Sequence, residues 1–199
     1  MLDYKKKIGI IDFKSTNLFS IHQALLKIGY VKKISAAKQI KNIDILVIPG
    51  VGTFSSAMDF LRKKKIENEI KKHAKAGKKI IGICLGMQLL MDYGYETKKT
   101  KGISLIKGKV IKFNKNNTNI GWSKIKINSK INNNKFLNNF FYFIHSYFCL
   151  TEKKNIYAST NFKGKNFPAI IKNKNILGVQ FHPEKSGKNG LKFLKKLIN

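Results

Sequence analysis

The stretch "KKIIGICLGMQLLMDYG", residues 78–94, runs from apolar residues straight into a helix-like segment, with Cys84 at the join between Gly82 and Gly86. "KIIGI" (79–83) does not alternate polar with apolar residues, so it fits a parallel strand covered on both faces. The helix is expected from Leu85 to about Tyr93. A cysteine on such a strand-to-helix elbow is lifted out of the sheet, and small residues two before and two after it relieve the crowding of the turn. Helix amides facing the sulfur would favour thiolate over thiol. The same residue also reads as a small buried hydrophobe closing a core strand, and this segment alone does not separate the two.

Two further apolar runs, "KIGIID" (7–12) and "IDILVIPG" (43–50), read as parallel strands of the same sheet. Leu18, Ile21, Leu25 and Ile28 give one helix face, with Asn17 as N-cap and Gly29 as C-cap. Ser56 and Asp59 form an expected capping box for a helical pattern that continues, with a break, to about Ala76. Strand and helix thus alternate three times, the grammar of an α/β sheet with crossovers. After Gly102 the pattern changes to strand-like pieces: "ISLIKGKVIKF", "GWSKIKI", "FFYFIHSYF", "NIYAST", "FPAIIK" and "NILGVQFH". A closing "GLKFLKKLI" has Leu191, Leu194 and Leu197 at helical spacing. The expectation is one α/β domain over residues 1–199, parallel in its N-terminal half and mixed or antiparallel in its C-terminal part, with 112–119 and 128–135 as surface loops.

Cys84 and Cys149 are too few for a disulfide framework, and neither has a partner at metal-ligand spacing. No stretch is apolar enough for a signal peptide or a membrane span, so a cytoplasmic protein without a membrane partner is expected. The formal charge of +30 comes from 40 Lys+Arg against 10 Asp+Glu. Arg62 is the sole arginine, and the lysines are scattered among asparagines and isoleucines, which points to A+T-biased codons and a solvated surface rather than a specific nucleic-acid site.

A nucleophile needs a base. His22 and His73 fall in helical segments and read as partly exposed helix surface, whereas His182 follows an apolar strand, where α/β folds gather their sites. Pro183 favours an extended backbone at His182, and residues two apart in an extended segment share a face, which places Glu184 beside the imidazole. Cys84, His182 and Glu184 then form a nucleophile, base and orienter. "PGVG" (49–52) offers oxyanion donors near Gly50 and Val51, with the Leu85 N–H as another; an ordinary strand-ending turn is the plainer reading of those glycines.

"PGVGTF", "GICLGMQLL", "YFIHSY" and "GVQFHPEKS" together resemble the class I glutamine amidotransferases, and the resemblance runs over almost the whole chain. It implies a flavodoxin-like, doubly wound sheet and hydrolysis of L-glutamine to glutamate and ammonia by Cys84, His182 and Glu184, without metal or cofactor. It also implies a glutamine pocket built from Gly52, Gln88, His145, Ser146 and Tyr147. Helical spacing alone puts the Gln88 amide four residues on from Cys84, above the thiol. Within the family the motifs are most similar to glutaminase subunits of histidine biosynthesis, which form a heterodimer with a separate (β/α)8 cyclase and are switched on by it through the oxyanion strand.

Two departures concern which synthase is served. "DFKSTNL" places Lys14, Ser15 and Thr16 where a glycine-bearing turn is usual, and "IGWSKI" has Ser123 for asparagine. A related branch supplies ammonia for amino- or amidino-bearing surface sugars, and a binding protein keeping an inactive amidotransferase fold is the reading from another class.

Overall fold

The computed structural model describes residues 6–14, 18–50, 52–114, 117–127 and 139–198. The apolar runs build the middle of one sheet: β1 (Lys7–Ile11), β3 (Ile45–Ile48) and β4 (Lys79–Ile83), with β2 (Tyr30–Ile34) parallel to β1 at the edge. The whole sheet has eight strands in the order β2-β1-β3-β4-β14-β13-β12-β9. The last strand of the chain, β14 (Ile176–Val179), inserts beside β4 and runs parallel to it, with Gly178 opposite Gly82 and Val179 opposite Ile83. The strands beyond it, β13 (Lys165–Asn173), β12 (Ile156–Phe162) and β9 (Lys126–Ile127), are antiparallel. Because β4 and β14 run together and end level, the residues that follow each of them leave the sheet at one edge. Strand ends more than ninety positions apart in sequence meet there, and the Cys84 N–H donates to the Val179 carbonyl at 2.7 Å.

Helices cover both faces, as burial on both sides of parallel strands requires. One face is packed by Leu18, Ile21 and Leu25 of α1 (Leu18–Leu26) and by Phe193, Leu194 and Ile198 of α5 (Gly187–Ile198). The other is packed by α2 (Phe54–Lys63), through Phe54, Ala57, Met58 and Leu61, and by α3 (Ile66–Lys75), through Ile66 and Ile70. The break between α2 and α3 falls at Lys65, which takes a left-handed φ of 56°. Two smaller sheets sit beside the main one. The first orders β11 (Tyr147–Thr151), β7 (Gly108–Lys112), β5 (Tyr93–Tyr95) and β6 (Lys99–Lys101), and the second pairs β10 (Phe140–His145) with β8 (Asn119–Lys124).

Several sequence expectations need correction. α4 spans only Leu85–Leu89 rather than reaching Tyr93, because the chain turns at Leu90 into β5. Thr53, not Ser56, caps α2: its side chain accepts from the Ser56 N–H at 3.4 Å, and Asp59 is exposed. Gly29 closes α1 by donating to the Leu25 carbonyl at 3.1 Å without a left-handed φ. Phe193, Leu194 and Ile198 carry the buried stripe of α5, with Leu191 and Leu197 half-buried at its margin. His73 is buried, with Nε2 3.3 Å from the Lys79 carbonyl, so it is not helix surface. Asn17 and all of 128–135 lie outside the described residues. At the unusual turn after β1, Lys14 adopts the left-handed φ of 59° for which glycine is suited, and its N–H donates to Asp12 Oδ1 at 2.8 Å.

Gly82 and Gly86 are set by backbone packing. A Cβ on Gly86 would fall on the Ile48 carbonyl oxygen of β3, and one on Gly82 would lie 2.5 Å from the Gly86 carbonyl oxygen. Gly86→Ala is therefore expected to cost about 3 kcal/mol in denaturant unfolding, the upper part of the overpacking range, because the obstacle is backbone. Gly164→Ala, with a φ of 79° but nothing within 4 Å, should cost about 1–2 kcal/mol from the left-handed conformation alone. Equal losses at the two positions would contradict this account of the elbow.

Candidate active site

Cys84 stands between β4 and α4 with φ 51° and ψ −108°, a conformation that costs a non-glycine residue about 1–3 kcal/mol and persists only where the surroundings impose it. The imposing contacts are visible. A Cβ on Gly50 would lie 2.6 Å from Cys84 Cβ and 2.9 Å from the Leu85 nitrogen, so the turn after β3 packs directly against the elbow. The five-residue α4 has only a short run of aligned peptides, so its contribution comes from its first free N–H groups rather than from a long helix dipole. Gly50 and Leu85 thus adjoin each other, as an oxyanion pocket beside the sulfur needs. Val51 lies outside the described residues. Gly52 follows it, exposed, with φ 88°.

His182 leaves the end of β14 with an extended backbone, φ −101° and ψ 95°. Residues Pro183–Lys185 then form a 3₁₀ turn instead of continuing the strand. Glu184 reaches the imidazole through that turn, with Oε1 2.7 Å from Nδ1, so the pairing holds although the period-two argument for it does not. Strand β10 anchors the turn. The His182 N–H donates to the Tyr142 carbonyl at 2.8 Å, and the Ser186 hydroxyl donates to the His182 carbonyl at 2.6 Å while accepting from the Tyr142 N–H at 3.0 Å. Ser186 carried no signal in the sequence beyond its place after "HPEK".

Burial alone would lower the His182 pKa, but charge and hydrogen-bond coupling to Cys84, followed by the hydrogen bond and charge of Glu184, outweigh it and push the value up to about 10. The imidazolium therefore persists across neutral pH, next to the sulfur. The other Glu184 oxygen, Oε2, is buried without a hydrogen-bond partner among the described residues. Glu184 borders a cavity of about 30 Å³ lined also by Ile21, Pro49, Gly50 and Lys185, room for one water.

Of the expected pocket residues, Gln88 and His145 meet at the Tyr147 carbonyl, whereas among the described residues no contact brings Gly52 or Ser146 to the sulfur. Gln88 is buried one turn along α4, and its Nε2 donates to the Tyr147 carbonyl at 2.9 Å. His145 is also buried, among Phe113, Phe143 and Phe167. Burial drives its pKa down to about 4, against the hydrogen bond to the Tyr147 carbonyl, and the nearby His182 charge adds to the fall. It is neutral, with Nδ1 2.8 Å from the Tyr147 carbonyl and Nε2 3.1 Å from Asn119 Nδ2. Both ring nitrogens are thus engaged inside the protein. Ser146 shares a 2.8 Å hydrogen bond with the Thr118 hydroxyl, and the Tyr147 hydroxyl donates to the Glu96 carbonyl at 3.2 Å. Of the other histidines, His22 lies half-buried in α1 and His73 is confined to the α3–β4 junction.

A fully buried residue absent from the expectations, Gln180, touches the sulfur itself: its Nε2 lies 3.7 Å from Cys84 Sγ. The available signal was its position in "GVQFH", just past the apolar strand and two before His182; the chain bends there rather than continuing the strand.

Comparison with known proteins agrees with this geometry. The family model "Glutamine amidotransferase class-I" matches residues 9–198. A protein of Caldanaerobacter subterraneus subsp. tengcongensis named imidazole glycerol phosphate synthase subunit HisH is 43% identical over 94% of this chain and 95% of its own length. Proteins of the same name from Methanosarcina barkeri and Thermotoga maritima are 41% and 33% identical, over 98% and 96% of this chain and of themselves. Among solved structures, PurLQS from Thermotoga maritima superposes with a TM-score of 0.75 at 20% identity, over 98% of both chains. A crystal structure of a glutamine amidotransferase gives 0.73 at 16% identity, over 96% of this chain and 98% of that one. These structures share the flavodoxin-like, doubly wound fold, and with the sequence match they establish that the chain belongs to the class I glutamine amidotransferase family.

Proposed function

We infer that this chain, as a single domain, is the glutaminase subunit of an imidazole glycerol phosphate synthase. It hydrolyses glutamine and hands the ammonia to a cyclase in histidine biosynthesis. The observation that carries the chemistry is the convergence of Cys84, His182 and Glu184 at the adjoining ends of β4 and β14. The pathway rests on relatives that bear that name and match along nearly their whole length.

In the proposed cycle the resting pair is a Cys84 thiolate facing a His182 imidazolium. The thiolate attacks the side-chain amide carbon of glutamine, a C–S bond forms, and the carbonyl electrons move onto oxygen beside the Leu85 N–H and the Gly50 turn. Collapse expels ammonia carrying the proton from His182, which leaves a thioester and a neutral imidazole. His182 then takes a proton from water, the hydroxide adds to the thioester, and the C–S bond breaks to release glutamate. Thiolate and imidazolium are restored. Glu184 fixes the imidazole through Nδ1 and leaves Nε2 for this traffic.

Ammonia released into water becomes ammonium and loses its nucleophilic lone pair, so the subunit needs an acceptor docked over the site. The outer face of the β8/β10 ribbon supports that reading. Ile120, Trp122, Phe140 and Ile144 are all exposed there, and the Ile144 carbonyl oxygen lies 3.9 Å from Cys84 Sγ. The partner is a (β/α)8 cyclase, joined in a heterodimer. Among the described residues no helix is long and apolar enough to cross a membrane, and both cysteines are free, which supports a cytoplasmic setting.

Glutaminase activity of the isolated chain is expected to be low and to rise about 10²-fold on adding the cognate cyclase with its nucleotide ligand. Glutamate release measured with and without that partner checks this. Equal rates would remove both the coupling and the assignment to this synthase.

A further inference from the structure

The donors around the sulfur have only one consistent orientation. The Tyr147 carbonyl can only accept, so it faces the Nδ1–H of His145 and the Nε2–H of Gln88. With Gln88 fixed in this way, its second N–H points at Gln180, 3.3 Å away, and must meet an oxygen there. That places Oε1 of Gln180 toward Gln88 and turns its Nε2–H onto Cys84 Sγ. A backbone carbonyl thus decides, through two buried amides, that Gln180 presents the sulfur with a hydrogen bond rather than an oxygen lone pair, while the Ile144 carbonyl stands 3.9 Å away. Reversing either amide would set donor against donor or acceptor against acceptor in a site without solvent, since Gln180 is 0% and Gln88 6% exposed.

We propose that Gln180 is a catalytic residue of this site, donating to the Cys84 sulfur, and that Gln88 is the positioning residue that holds it in that orientation. The proposal rests on the glutaminase reading and deepens it. A donor to sulfur acts where the sulfur is negative: in the resting ion pair, and again when the tetrahedral adduct of water breaks and the thiolate departs. It has no comparable function toward the neutral thioester between those steps. The contribution therefore falls on kcat more than on glutamine binding. It also gives Gln88 a use for its N–H groups inside the protein, leaving its Oε1 as the atom free to face a ligand.

The titratable groups that face the sulfur or its base are His182 and Glu184 from the turn after β14, Cys149 from β11 and His145 from β10. Cys149 is fully buried, and burial raises its thiol pKa far above neutrality, so Cys84 can be followed alone.

The test compares Gln180→Met, Gln180→Glu and Gln88→Met with the wild type in the full chain. It reads the rate of Cys84 alkylation by iodoacetamide against pH, with the modified residue mapped by mass spectrometry, and glutamine turnover with the cyclase present. Loss of a hydrogen bond to a charged group predicts that the alkylation midpoint of Gln180→Met moves up by about one to two pH units. Its kcat should fall about 10–100-fold with KM changed less than about threefold. Gln180→Glu keeps the shape but presents an acceptor, so its midpoint should move further in the same direction. Gln88→Met should move it the same way by less.

An unchanged midpoint in Gln180→Met, or in the isosteric Gln180→Glu if the methionine variant does not fold, overturns the proposal. So does a change confined to KM. Retained turnover in Cys84→Ala would instead sink the glutaminase reading beneath it, and the two failures are therefore distinct.

Discussion

Cys84→Ala is expected to lower glutamine hydrolysis by about four orders of magnitude or more, while synthesis from added ammonium salt by the partner cyclase continues. The substitution removes only the sulfur. Alanine keeps the Cβ that fits against Gly50, and it meets the same left-handed backbone at φ 51°, so the elbow that positions Gly50 and Leu85 is retained. What is lost is the sulfur that forms the covalent intermediate in the proposed cycle. Parallel assays of glutamate release and of ammonia-dependent product formation separate the two halves of the reaction. Glutamate release near the wild-type rate would reject Cys84 as nucleophile, and loss of both activities would show that the variant damages docking or folding instead.

His182→Asn should cost about 10²–10⁴-fold in turnover, the range for a general acid and base. It should also alter the pH profile in a definite direction. In the wild type the proton on His182 is held by Cys84 and Glu184 up to about pH 10, and in the proposed cycle it is this proton that leaves with ammonia. Its supply is complete well below that value and falls as pH rises through it, so turnover should decline on the alkaline side. The asparagine variant has no such proton, and its residual rate should show no decline with that midpoint. The asparagine Nδ2–H can stand where the imidazole Nδ1–H stood, so Glu184 keeps a hydrogen bond but loses its cationic partner, and the accompanying loss of stability is measured separately by thermal unfolding. A variant with the wild-type alkaline limb intact would show that another group supplies the proton.

Much of the fold was legible because parallel strands buried on both faces leave unbroken apolar runs, and β1, β3 and β4 all do so. Strand β2 was not legible. It lies at the sheet edge, and "YVKKI" buries only Ile34 fully, so it leaves neither a run nor an alternation. The insertion of β14 next to β4 could not be read from local pattern at all, since strand order depends on pairings across the chain. That insertion is what joins nucleophile to base.

The site shows the same division. Cys84 and His182 follow strand ends and could be located from sequence. Glu184 was placed correctly for a reason that fails, because Pro183 starts a 3₁₀ turn and the carboxylate arrives by curvature rather than by alternation. Gln180, two residues before His182, also reaches the sulfur, although the chain bends at 180 and 181 beyond the end of β14. The Gln88 amide, expected above the thiol, reaches it only through Gln180.

The most direct measurement is covalent capture by a chloroketone analogue of glutamine, with the adduct mapped by mass spectrometry in the presence of the cyclase. The account predicts one adduct, on Cys84, prevented by excess glutamine and absent from Cys149. Labelling that ignores glutamine, or that falls on another residue while Cys84 stays unmodified, would contradict it.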